Sequence, residues 1–194
     1  MDKRQFCKIS MLSLGALVFP KKGFALEYYP TTTDKKWAIL YGTWCGSARD
    51  ASLWISEGMA GIANVFDVRE NPDLSGYENI VIGGAIRSAK VSGELEKYIA
   101  DHKNNLKGKI RGLFTVSGNM MQPVTPAQKA QLIDNYLAKL CEVSNVPSAT
   151  FLGRVTLSLM DKEAAQMMKS MKDYDNLKRP ECMAFGKQVL EATK

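Results

Sequence analysis

The chain has 194 residues, 45% hydrophobic and 24% charged, the balance of one globular domain of ordinary size with a real core. Basic residues exceed acidic ones by six, but residues 1–25 alone hold a net of +4, from Lys3, Arg4, Lys8, Lys21 and Lys22 against Asp2. The remaining +2 is too mild for the clustered basic face that nucleic-acid binding requires, and one histidine with scattered cysteines argues against a zinc site.

The first predicted element is a leader. "MDKRQFCKIS" is polar and positive, "MLSLGALVF" is apolar, and "KKGFA" ends in small residues at cleavage-site spacing. These fit an export signal over 1–25, too short to span a bilayer, followed by a linker over 26–35 and one domain over 36–194. "KRQFCKIS" also resembles the twin-arginine translocation motif, with Lys3-Arg4 in place of the usual arginine pair. That implies a protein exported folded to the periplasm with its cofactor loaded. The alternatives are a general secretory signal, or a buried N-terminal helix in a cytoplasmic protein. No later apolar run approaches about eighteen residues, so no transmembrane segment is expected in the mature chain. Loss of the leader removes Cys7 and leaves Cys45, Cys141 and Cys182, enough for one disulfide whose pair the sequence does not choose.

From Trp37 the chain alternates strands and helices. "WAILYG" reads as a buried strand, and Ala51, Trp54, Ile55, Gly58 and Ile62 then recur at helical spacing. "NVFDVRE" alternates as a second strand, and "NIVIGGAI" is a third, reached by a link (71–78) too short for a crossover helix. Leu95, Tyr98, Ile99, His102 and Leu106 mark one helix face, with His102 read as packing. "IRGLFTVSG" is the fourth strand; Thr125 caps a helix with Pro126 in its first turn and a stripe of Ala130, Ile133, Leu137 and Leu140. "SATFLGRV" is the fifth strand, and a last helix carries Cys182, Phe185, Gly186 and Val189 on one face. This order predicts an α/β fold, a doubly wound parallel sheet with helices on both faces.

In such sheets ligands sit beyond the carboxyl ends of the strands. The segments leaving those ends are "GTWCGSA", "GGAIRSAKVSG", "SGNMMQPVTP" and "GRVTLSLM", all rich in small and hydroxyl residues. Their order and character resemble flavodoxins over residues 36–194, most closely the branch that includes menaquinone-dependent protoporphyrinogen oxidase. The resemblance is carried by "ILYGTWCGSARDAS", "YENIVIGGAIRSAKVSGELEKYI" and "GKIRGLFTVSGN". It implies a flavodoxin-like five-stranded sheet of order 2-1-3-4-5, and FMN as cofactor.

The family's phosphate loop reads Thr-x-Thr-Gly-x-Thr. Here Thr43 keeps the first hydroxyl, Trp44 follows it, Gly46 keeps the turn, and Ser47 offers a hydroxyl one place early, while Cys45 and Ala48 replace two threonines. Losing two hydrogen bonds to a charged group costs about one to four decades of affinity. The backbone nest and helix dipole remain as anion binders, and Arg49 can add charge. A Cys at a helix N-terminus also suits a nucleophile or redox group. A phosphatase-like loop, however, would place an arginine at position 51, which is Ala, so Cys45 reads mainly as a small substitute for Thr. By position, the ring-binding loops become Ala85, Ile86, Arg87 and Ser88, then Ser117, Gly118 and Asn119. Arg87 is either a cation beside the flavin, favouring its reduced anionic form, or a solvated loop charge. Trp44 is either a cover for a ring face or a surface anchor. Met160, Met167, Met168 and Met171 crowd a segment where the oxidase branch has an extra loop; they read as helix packing or as an adaptable contact surface.

Three functions follow. The first is an exported FMN-binding protein that carries electrons or oxidises a small substrate, with an unidentified redox protein or quinone as partner. The second is a protoporphyrinogen oxidase-like, quinone-linked enzyme. The third is a flavin-free binding module that kept the fold. No acid–base pair in the loops marks a catalytic site.

Overall fold

The computed structural model describes residues 36–118, 122–160, 162–170 and 172–193. The leader and linker expected over 1–35, and Asn119, lie outside them.

Strand β1 (Trp37–Gly42) is buried at every position, as a continuous apolar run between two helical layers must be. Its successive side chains point to opposite faces. Ile39 and Tyr41 join one core with helices α1 (Ser47–Gly58) and α6 (Arg179–Glu191). Ala38 and Leu40 join the other, with α2 (Gly93–Asp101) and the helix over 126–140, α4. Full burial of a side chain such as Ile39 or Leu40 contributes roughly 1.5–3 kcal/mol.

Strands β2 (Ala63–Asp67), β3 (Asn79–Ile86), β4 (Ile110–Ser117) and β5 (Ser148–Leu152) complete a parallel sheet of order β2-β1-β3-β4-β5. This is the expected flavodoxin-like order. The link before β3 holds only a 3-10 turn, Val68–Glu70. A short helix, α3 (Lys103–Leu106), continues the face of α2 past His102, whose ring stacks on Tyr98 at 4.0 Å in a packing role.

Two expected strands end early. β2 stops at Asp67, because its carboxylate accepts hydrogen bonds from the Arg69 backbone N–H (3.0 Å) and from Arg69 Nε (2.9 Å), capping the 3-10 turn. Burial pushes the Asp67 carboxyl up, and the Arg69 hydrogen bonds outweigh it, holding the group below its ordinary value. β5 ends at Leu152, where the Gly153 N–H closes the last ladder bond to the Ser117 carbonyl (2.8 Å). A Cβ on Gly153 would lie 3.0 Å from the Gly118 nitrogen. Arg154–Val155 (β6) instead pairs antiparallel with Tyr174–Asp175 (β7) in a separate two-stranded sheet. Helix α5 (Lys162–Met167) lies between them.

α4 starts at Pro126 with the expected Thr125 cap, closed into a capping box by Gln128, and widens to a π-helix over Ala130–Leu137. The expected last-helix face is correct: Cys182, Phe185, Gly186 and Val189 are all buried. None of the described helices is long and apolar enough to cross a membrane. Cys141 and Cys182 are free thiols.

Burial raises Tyr41 and Tyr98 from 10.0 to about 12, and raises Tyr136 further with help from its hydrogen bond to Glu96. It also lifts the Cys141 and Cys182 thiols from 9.0 to about 12. These groups favour the folded state while neutral in both states. Above about pH 9 the unfolded chain ionises first, so their contribution shrinks and is lost as the pH passes the folded values. The urea midpoint is therefore expected to fall from about pH 8 to about pH 10.5. An unchanged midpoint would mean that these phenols and thiols are solvated.

Candidate functional site

Three loops converge beyond the carboxyl ends of β1, β3 and β4. After β1 the chain turns through Thr43–Gly46 into α1. Gly46 sits at φ +85°, a left-handed conformation that glycine adopts without strain. Its N–H donates to Thr43 Oγ1 at 3.0 Å, so the Thr43 hydroxyl is nearly buried and turned into the loop. No side chain caps α1, so its first N–H groups form an anion-binding end at the loop. Ser47 is buried at this helix start, whereas Ala48 is fully buried in the core. Position 48 is thus a packing position, and its methyl leaves no gap on the loop.

β3 delivers Ala85 and Ile86 to the same end. Arg87 and Lys90 then exchange backbone hydrogen bonds of 2.9 and 3.1 Å across a two-residue turn at Ser88 and Ala89. Both central residues have positive φ, 52° and 62°, the geometry of a type I′ turn without the Gly or Asn it prefers. Ala89→Gly is accordingly expected to stabilise the protein by roughly 1 kcal/mol in urea denaturation. No gain would mean that the turn is unstrained. Past the turn, the Val91 N–H donates to the Tyr136 hydroxyl (3.0 Å), which donates to Glu96 (2.7 Å), tying the loop to α4 and α2.

The Arg87 guanidinium lies over the Trp44 ring, 5.3 Å from its centroid, joining the first and third loops. Arg87 is half-buried and so not simply a solvated charge. Ser117 is buried at the end of β4. Gly118 follows, where a Cβ would lie 3.0 Å from the Arg154 carbonyl oxygen.

These loops surround a cleft of about 830 Å³. Trp44, Cys45 and Ser47 line one side; Ala85, Ile86, Arg87 and Ser88 line a second, with Gly118 below. Thr43, Gly46, Ala48 and Ser117 sit behind this lining, within the loops or the core. A second cavity, about 560 Å³, lies at the opposite end of the sheet and contains none of the predicted residues.

The remaining wall comes from the segment after β5, where the sequence predicts a strand and an exit loop. Arg154 and Val155, then Leu159, Met160 and Met168, line the cleft. The Arg154 guanidinium is 2.5 Å from Asp50 and 3.7 Å from Asp175. It also lies 3.3 Å from where a Cβ on Gly46 would stand, which puts it over the start of α1. The detectable signals were the Gly153-Arg154 pair at a strand end and the methionine crowding. Met171 and the Met167 side chain fall outside the described residues. The Cys45 thiol donates to the Leu159 carbonyl at 3.6 Å, tying the segment to the first loop. Among the described residues, no three His, Cys, Asp or Glu side chains cluster as a metal site.

Residues 38–178 match the family model described as a flavodoxin domain. The chain belongs to the flavodoxin-domain family.

No curated protein matches it. Among solved structures, a flavodoxin from the domain Archaea is 15% identical with a TM-score of 0.50, covering 82% of this chain and 99% of that one. Rubredoxin oxygen:oxidoreductase from Desulfovibrio gigas is 11% identical with a TM-score of 0.53, covering 86% of this chain and 38% of that one. The two-electron reduced flavodoxin of Megasphaera elsdenii is 18% identical with a TM-score of 0.48, covering 81% of this chain and 98% of that one. At these identities the first two likenesses establish the fold.

Proposed function

We propose that this flavodoxin-domain protein binds FMN in the three-loop cleft and carries electrons, and that it does so in the periplasm after export through the twin-arginine-like leader. The observation that carries the cofactor reading is the uncapped start of α1 behind Gly46, opening beside an aromatic and a cation on one 830 Å³ cleft. The residues fit the group. The α1 N–H end and Ser47 suit the phosphate, Trp44 and the Ala85–Ser88 turn suit the ring, and Gly118 suits the ring's far edge. When bound, FMN supplies the electron chemistry. The protein's share is to orient it, exclude water with Trp44, and bias its charge with Arg87. The paired hydrogen bonds at Val91, Tyr136 and Glu96 hold the Arg87 turn in place.

The test is a visible spectrum of the purified protein followed by reductive titration with dithionite. Flavin bands that bleach and return on oxidation support the reading. A colourless protein that takes up no added FMN would favour the flavin-free module instead.

A quinone-linked oxidase of the protoporphyrinogen type is the second reading. It is favoured by the apolar rim of the cleft: Leu159, from the segment after β5, is 59% exposed and Trp44, from the first loop, is 42% exposed. Menaquinone-dependent turnover of a porphyrinogen would select it over a simple carrier.

A further inference from the structure

At the phosphate end of the cleft the one hydroxyl among the lining residues of the first loop is Ser47. The Thr43 hydroxyl is turned onto the Gly46 N–H, Ala48 lies in the core, and Cys45 points its thiol at the Leu159 carbonyl. A cation is held there nonetheless. Arg154 comes from a different part of the chain, fixed by β6–β7 pairing, by the close approach of Gly118 and Gly153, and by the Tyr174 hydroxyl bonding to the Gly118 carbonyl. Its guanidinium stands over the positive end of α1, which is an unfavourable place for a cation unless an anion lies between. Asp50 is the anion that meets it at 2.5 Å; Asp175, at 3.7 Å and half-exposed, contributes little. The Arg154 side chain is still 22% exposed, on the cleft wall. A guanidinium has five donors in a rigid fork, more than one carboxylate can use, and the fork matches phosphate geometry.

We propose that Arg154 is the phosphate-selecting residue of this cleft, its guanidinium shared between Asp50 and the phosphate monoester dianion of the bound ligand. This rests on the flavin reading of the same cleft and adds a specificity determinant to it. The Arg154 fork supplies the charge-assisted bonds that a hydroxyl at position 45 would otherwise make. The cleft is thereby set to take FMN and to discriminate against riboflavin, which has the same ring and no phosphate.

The experiment measures FMN and riboflavin affinities of the flavin-free chain and of Arg154→Met by quenching of flavin fluorescence, with inorganic phosphate as a competing probe. Arg154→Met is expected to weaken FMN roughly 10- to 100-fold, leave riboflavin unchanged, and remove competition by phosphate. Equal weakening of both flavins would make Arg154 a wall of the cleft and overturn the proposal. An unchanged FMN affinity would overturn it too, while leaving the flavin reading intact. If the unsubstituted chain binds neither flavin, the flavin reading itself fails and takes the proposal with it. Should Arg154→Met fail to fold, Arg154→Lys carries the test, because it keeps the charge and loses the fork. The ratio of FMN to riboflavin affinity then falls by a smaller factor at an unchanged melting temperature, and an unchanged ratio overturns the proposal.

Discussion

Gly186→Ala is expected to destabilise the protein by about 3 kcal/mol or more. α1 and α6 cross with their backbones in contact. A Cβ on Gly186 would lie 2.2 Å from the Ile55 carbonyl oxygen, and one on Gly58 would lie 2.1 Å from that of Met183. Neither obstacle is a side chain that can rotate away, so the helices must separate. Separation opens the core that Ile55, Phe185 and Val189 fill above β1. With a total stability of roughly 5–15 kcal/mol, such a loss is a large fraction of the whole. Gly58→Ala should cost a similar amount, and the double variant less than the sum, since helices already forced apart tolerate the second methyl. Urea denaturation of the two single variants and the double variant checks this. A cost under about 1 kcal/mol for each single change would mean that the helices do not meet through their glycines.

Gly46→Val is expected to damage ligand binding while sparing the fold. Gly46 holds φ +85°, where a β-branched residue costs roughly 1–2 kcal/mol. The nearest obstacle to an added Cβ is the tip of Arg154 at 3.3 Å, which can move, so backbone strain dominates. Relief of that strain rotates the Gly46 N–H away from Thr43 and closes the anion-binding end of α1. FMN affinity should drop at least about tenfold while the protein melts only slightly lower. FMN titration and thermal melting of the same preparation separate the two effects. Unaltered affinity would place the phosphate elsewhere.

Much of the frame was legible because parallel strands buried on both faces are unbroken apolar runs. "WAILYG" and "NIVIGGAI" match β1 and β3 residue for residue. The Thr125 cap and the apolar face of α6 were legible for the same local reasons. What misled was a local side-chain capture of the backbone in one strand and a contact distant in sequence in another. Alternation carries "NVFDVRE" on to Glu70, but Asp67 captures the Arg69 N–H and ends the strand. "SATFLGRV" looks continuous, yet Gly153 is pinned against Ser117 and Gly118, and the chain turns off the sheet.

The candidate site divides the same way. Loops leaving strand ends announce themselves by glycine and hydroxyl residues, and eight of the predicted positions line one cleft. Ala48 read as a lost hydroxyl because a linear motif does not say which way a helix's first turn faces; the structure turns that position into the core. Arg154 could not be assigned from sequence, since its partner Asp50 lies over a hundred residues earlier.

The most direct test is calorimetric titration of FMN into the flavin-free protein. One FMN per chain is expected to bind with a dissociation constant of about 1 μM or tighter, competed by inorganic phosphate. No binding heat and no competition at high micromolar FMN would contradict it, leaving a flavodoxin domain whose cleft serves another ligand.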